Sequence, residues 1–249
     1  SLINALSDRK LRNYWASSGA TSLLPKFVEN MEMKMEYFDH CFIEGDTLET
    51  SDVVNGGAEL FLYQSGYLTI KGYDDGVYIL GFPNFEVRKA LYRVVVPALT
   101  MKSNSEVVSA QSFLRKMMQD GNTAEAKKAL KALIADVPYS NKKMASMDME
   151  ERYRLIMSTI FRALGFRVEV ERMLATGRID MIVEVPSIIY VLELKLSNNG
   201  GISAAESQIK DKSYTEPFKA DKRKVIALAV ELDETGKGLI DWKEVDEGV

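Results

Sequence analysis

The stretch Gly177-Arg178-Ile179-Asp180-Met181-Ile182-Val183-Glu184-Val185-Pro186-Ser187-Ile188-Ile189-Tyr190-Val191-Leu192-Glu193-Leu194-Lys195 decides the fold. Residues 179–185 and 188–196 are rich in Ile, Val and Tyr and read as strands. Pro186-Ser187 between them is a turn signal. A turn of two residues makes Val185 face Ile188; counting back, Asp180 stands opposite Glu193 and Arg178 opposite Lys195. Side chains alternate between the two faces of a sheet. Asp180, Glu193 and Lys195 therefore emerge together, and Met181, Val183, Val185, Leu192, Leu194 and Leu196 cover the other face. Two carboxylates side by side repel unless a cation lies between them. Oxygen ligands suit Mg²⁺ or Mn²⁺, and a lysine two residues on can orient a water or stabilise charge on a phosphate. The spacing D-x(12)-E-x-K is also compatible with a surface hairpin whose solvated side alternates Glu and Lys.

The flanks narrow the choice. In residues 150–166, Leu155, Ile156, Thr159, Ile160, Ala163 and Leu164 recur at helical spacing, and Gly165 is a natural C-terminal stop. In residues 203–214, Gln208 and Lys212 are four apart and share a helix face. Helix, hairpin, helix and then the apolar run 225–230 resemble the core of the PD-(D/E)XK nuclease superfamily, which includes many restriction endonucleases. The resemblance implies phosphodiester hydrolysis with Mg²⁺ or Mn²⁺. Asp180 would match the first acid, Glu193 the second and Lys195 the lysine, with the Leu194 carbonyl as a further metal ligand. Ile179 stands where a proline often precedes the first acid. Glu151 occupies the place of an additional helix acid, and it also reads as a solvated charge favoured by the helix dipole. Gln208, Lys212 and Tyr214 are expected to hold the site or to contact backbone phosphate, and Arg178 to bind phosphate.

A closer resemblance covers nearly the whole chain. Glu151-x-Tyr153, Gly177-Arg178-Ile179-Asp180, Glu193-Leu194-Lys195, Gln208-Ile209-x-x-Lys212-x-Tyr214 and Asp221-x-Arg223-Lys224-Val225 look like a bacterial family frequent in Bacteroidetes. Its members carry an AAA-like ATPase domain ahead of the nuclease-like one. Asn13-Tyr14-Trp15, Gln64-Ser65-Gly66-Tyr67-Leu68-Thr69-Ile70 and Leu80-Gly81-Phe82-Pro83-Asn84-Phe85-Glu86-Val87-Arg88 resemble the C-terminal part of that ATPase region. The implied organisation is an ATPase-derived region at 1–100, a helical hairpin and linker at 101–145, and a restriction-endonuclease-like domain at 146–249. No G-x-x-x-x-G-K-[ST] loop occurs, and Gly236-Lys237-Gly238 lacks its flanking residues. ATP would therefore bind only in an upstream domain, and a chain opening at Ser1 would be the C-terminal part of a longer protein.

Composition excludes several alternatives. The 249 residues are 46% hydrophobic and 27% charged, ordinary for a globular protein with room for two domains. A single cysteine, Cys41, allows no internal disulfide and fits the reducing cytoplasm. One histidine, His40, cannot build a His-rich metal site, and nothing nearby supports it as a catalytic base. No apolar run approaches the ~20 residues of a membrane span, and no membrane partner is expected. A formal net charge of −4 argues against bulk electrostatic capture of nucleic acid but leaves room for a local positive cleft.

The N-terminal half reads as two helices over residues 1 to about 35, a polar loop from His40 to Gly57, a helix at 58–64, strands at 67–71 and 77–81, and a helix at 85–96. Asp75-Gly76 between the strands is a strong hairpin signal. Helices with a hairpin wing suggest a winged-helix module, which either packs on an ATPase core as a lid or reads DNA. Residues 105–136 read as two helices broken at Gly121-Asn122, with Lys127, Lys128 and Lys131 on a solvated face. Residues 138–147 are the best linker. The fold class expected is α/β of the α+β kind. The function expected is a metal-dependent nuclease acting on nucleic acid, with DNA favoured. The alternatives are a catalytically silent nuclease-fold module and a winged-helix regulatory fragment that binds DNA. Oligomeric state is left open.

Overall fold

The computed structural model describes residues 35–49, 57–100, 102–135 and 147–246. The two helices expected before residue 35, and all of the expected linker except Met147, lie outside them. The chain divides into two compact units, residues 1–95 and 96–249.

In the first unit a 3-10 turn, Met35–Asp39, leads into β1 (Cys41–Glu44), α1 (Gly45–Glu49), α2 (Gly57–Gln64), β2 (Thr69–Asp74), β3 (Val77–Gly81) and α3 (Phe85–Thr100), which runs on past residue 95. The antiparallel sheet has the order β1-β3-β2. Asp74 pairs with Val77, leaving Asp75 and Gly76 as the two-residue turn, at φ 42° and 85°. Two positive φ values define the turn that matches the natural twist of a hairpin, which is why Asp-Gly is favoured there. The segment His40–Gly57, expected as a loop, contains a strand instead. Cys41 and Ile43 are buried while Phe42 and Glu44 are exposed, so four residues of strict alternation suffice to pair with β3.

The second unit begins with α4 (Asn104–Asp120) and α5 (Thr123–Ile134). Ser103 and Glu106 form a reciprocal capping box at the start of α4, and Gly121 at φ 73° ends it. Then come α6 (Met149–Ala163), β4 (Arg167–Leu174), β5 (Gly177–Glu184), β6 (Ile188–Leu196), α7 (Gly201–Lys212), β7 (Lys224–Leu232) and β8 (Leu239–Val245). The sheet order is β4-β5-β6-β7-β8, with β6 and β7 parallel and the other pairs antiparallel. β6 is buried along its first seven residues, as a central strand must be when helices cover both faces. Here α6 packs on β4, β5 and β6, and α7 on β6, β7 and β8.

The hairpin expected as a connecting segment is built into this unit. The Trp242 indole donates to the Thr123 carbonyl at 3.0 Å and the Tyr190 hydroxyl to the Met118 carbonyl at 2.6 Å. Lys127 and Lys131, expected on a solvated face, reach β8: Lys127 pairs with Asp241 at 2.6 Å and Lys131 donates to the Ile240 carbonyl at 3.1 Å. Helix α5 thus covers an edge strand that would otherwise expose unpaired backbone. Tyr153, the aromatic of the Glu151-x-Tyr153 motif, ties α6 to the β7–β8 connection. Its hydroxyl donates to the Asp233 carbonyl at 3.0 Å and accepts from the Gly238 amide at 2.8 Å. Among the described residues no helix is long and apolar enough to cross a membrane.

Candidate active site

The turn at Pro186-Ser187 sets the register that the sequence implies. The Val185 amide donates to the Ile188 carbonyl, and pairs run from Glu184–Ile189 to Met181–Leu192. The next step in that register is Asp180 against Glu193, but the ladder stops short of it. The ladder between β5 and β4 also skips Asp180, passing from Val170–Met181 to Arg172–Ile179. Where backbone pairing lapses, the side chain takes over: the Asp180 carboxylate accepts the Leu194 amide at 2.9 Å.

Asp180 is 3% exposed and Glu193 0% exposed. One Glu193 oxygen accepts from the Lys195 ammonium at 2.7 Å; the other is buried without a hydrogen-bond partner. Burial first, and the neighbouring Asp180 charge second, push the Glu193 carboxyl up to about 8. With both acids ionised neither can donate to the other, which leaves that oxygen orphaned; a proton on Glu193 would be shared with Asp180. Burial pulls the Lys195 ammonium down, but its hydrogen bond to Glu193 and the charges of Glu193, Asp180 and Glu150 raise it overall. Lys195 also donates to the Leu194 carbonyl at 3.3 Å. A single ammonium therefore joins two oxygens that the family resemblance assigns to a metal, Glu193 Oε1 and Leu194 O.

Helix α6 meets this end of the sheet with its first turns. Asp148 caps it by accepting the Glu150 amide. Burial, then the Asp180 charge, raises the Glu150 carboxyl. The helix acid whose charge reaches the pair is thus Glu150. No hydrogen bond or ion pair joins Glu151, about 100° round the helix, to Asp180, Glu193 or Lys195 among the described residues. Arg154, one turn on, links three acids: Glu171 at 3.0 Å, Glu150 at 3.3 Å and Asp180 at 3.6 Å. Glu171 lies in β4 at φ 55°, a left-handed conformation that non-glycine residues seldom adopt within a strand. It stands between Arg154 and Arg178, which reaches it at 3.0 Å.

Arg178 is exposed, as phosphate contact requires, though Glu171 and not Lys195 is its partner. Tyr214 is fully buried; its hydroxyl donates to the Arg178 carbonyl at 2.7 Å and accepts from Gln208 at 3.0 Å. These two residues hold the backbone behind Arg178 and do not line an open face. Lys212 is exposed, and its backbone carbonyl accepts from Thr176. Arg223 of the Asp221-x-Arg223 motif pairs with Asp221 at 2.8 Å and with Glu184 at the far end of β5 at 2.9 Å. Glu150, Arg154 and Glu171 escaped the sequence reading. The i,i+4 spacing of Glu150 and Arg154 was a visible signal; Glu171 needed the strand β4 that went unassigned.

Among the described residues no three Asp, Glu, His or Cys side chains already stand together as a metal shell. The donor set nevertheless suits a hard divalent cation: a backbone carbonyl and two adjacent carboxylates, one of which, Glu193, has a buried oxygen that only a proton or a cation can satisfy.

Comparison with known proteins places a PD-(D/E)XK nuclease superfamily domain at residues 148–242, from the cap of α6 into β8. Over 255 aligned positions the chain is 24% identical to a protein from Azotobacter chroococcum mcd 1 described as "Uncharacterized protein in vnfD 5'region". The alignment covers 97% of this chain and 48% of that protein, so the chain spans about half the length of the curated relative it matches. No solved structure matches the chain.

Proposed function

We propose that the second unit hydrolyses phosphodiester bonds of nucleic acid, DNA in the first instance, with Mg²⁺ or Mn²⁺. The observation that carries this reading is the buried, unpartnered oxygen of Glu193 beside Asp180 and Lys195. Burying a carboxylate without partners is costly, and a fold does so where a cation completes the set. Asp180, Glu193 and the Leu194 carbonyl would hold the ion. Bound there, it supplies polarisation of a phosphoryl oxygen and a lowered pKa for a coordinated water. Lys195 keeps a proton next to the point where negative charge develops. Arg178 and Lys212 offer exposed charges to backbone phosphate, and Tyr214 and Gln208 keep the Arg178 backbone in place. Glu150 adds its charge from the helix in the role expected of Glu151.

The reading extends to the whole protein as the resemblance implies: an AAA-like ATPase upstream binds ATP, the first unit serves as its lid, and the assembly works in the cytoplasm. The test is cleavage of plasmid, linear duplex, single-stranded DNA and RNA in Mg²⁺ or Mn²⁺, with Asp180→Asn in parallel. Cleavage by the parent and none by the variant supports the reading; equal rates sink it.

A second reading is favoured by one observation. Lys195 already satisfies Glu193 Oε1 and Leu194 O, so the acids can be read as a structural ion pair in a silent module kept for recognition or assembly. That reading requires Lys195→Met to lower stability and to leave Mn²⁺ uptake absent throughout.

A further inference from the structure

We infer that Arg154 is a positioning residue that fills the second cation position of this site, so that the chain takes up one divalent ion and not two. The inference rests on the metal-dependent reading above.

Two-metal phosphodiesterases hold their ions about 3.5–4 Å apart across a shared carboxylate. Asp180 is the carboxylate able to be shared here. One of its oxygens is turned to the Leu194 amide, next to the Glu193 side of the site. The other faces Arg154 at 3.6 Å. The same guanidinium nitrogen, Nη2, lies 3.3 Å from Glu150. It therefore sits between the sheet acid and the helix acid, where a second bridging ion would have to stand.

The arginine is fixed there. It is 7% exposed, its Nη1 is held by Glu171 at 3.0 Å, and its Nε is buried without a partner. Glu171 maintains its left-handed backbone directly opposite Asp180 while its carboxylate joins Arg154 to Arg178. Strain of this kind persists only where surrounding contacts over-determine it. A guanidinium carried on the chain itself does not dissociate as a bound ion does.

Mn²⁺ titration of the full chain, read by electron paramagnetic resonance and calorimetry, tests this without any cleavage assay. The parent should bind one Mn²⁺ per chain. Arg154→Met, checked for folding by circular dichroism, should bind two. Arg154→Gln keeps the test open if Arg154→Met does not fold: it removes the charge, keeps a hydrogen-bonding amide and should also bind two. Two ions in the parent, or one ion in a folded Arg154 variant, would overturn the inference while leaving the metal reading intact. No Mn²⁺ in the parent or in any variant would remove the metal reading, and this inference with it.

Discussion

The two antiparallel hairpins of this protein, β2–β3 and β5–β6, share a topology and a two-residue turn, yet their polar residues mean different things. In β2–β3, Lys71, Asp74 and Tyr73 lie exposed on strands with one open side. In β5–β6, both faces are covered, and the polar residues Asp180 and Glu193 lie within that cover. A charge in water costs a fold nothing, so it carries no information. A carboxylate removed from water costs several kcal/mol unless matched, so its presence demands a reason. The contrast singles out Asp180 and Glu193 as the acids that need a partner.

The strongest way to break that contrast is to neutralise one residue of each kind. Asp180→Asn should lower Mg²⁺-dependent cleavage by on the order of 10²–10³-fold, whereas Asp74→Asn should leave the rate unchanged. Initial rates on one duplex substrate measure both. A large loss in Asp74→Asn would mean that the first hairpin takes part in the reaction.

Stability against pH gives the next largest effect. Glu193 has a raised pKa in the folded chain, so over a window from the ordinary carboxylate range up to about pH 8 the folded state holds a proton that the unfolded state has released. Stability from this group therefore falls as pH rises through the window. Glu193→Gln removes the dependence. In EDTA its Tm should match the parent near pH 5 and exceed it by pH 8, a gain of about 1–3 kcal/mol. A parent Tm that rises across that window, with the variant lower throughout, would mean that Glu193 is ionised and structurally paired.

Tyr214→Phe comes next. It removes the donor to the Arg178 carbonyl and the acceptor for Gln208, and should cost about 1–3 kcal/mol, the penalty for buried groups left unsatisfied. Denaturant titration reads it. No change would mean that water replaces the hydroxyl and that the strand behind Arg178 is not closed.

How much of this was legible follows from periodicity. The Asp180–Glu193 juxtaposition could be counted from Pro186-Ser187 because a two-residue turn and a period of two leave no freedom. The choice between Glu150 and Glu151 could not, because adjacent glutamates in a first turn give the same sequence signal and only packing selects which one turns inward. Strand β4 carries only a short signal, Val168 and Val170 alternating with Arg167, Glu169 and Glu171. Strand β8 was hidden for a physical reason. Leu239, Trp242 and Val245 are buried at every third residue, and a register shift at Glu231/Leu232 accompanies that departure from alternation.

The smallest effect sharpens the contrast from the exposed side. Tyr73 is 62% exposed and pairs across β2–β3 with Tyr78, their rings 4.9 Å apart between centroids. Cross-strand aromatic pairs of this kind contribute roughly 0.2–1 kcal/mol. Tyr73→Thr keeps strand propensity and removes the ring, so the urea midpoint should fall by an amount of that order while Mn²⁺ binding and cleavage stay at parental values. The expectation depends on water covering that face: an exposed ring gives up little apolar burial when deleted, and its backbone hydrogen bonds survive. A loss above about 2 kcal/mol is the scale of a deleted core side chain. It would mean that Tyr73 is covered in solution and that this hairpin, like the other, has a hidden face.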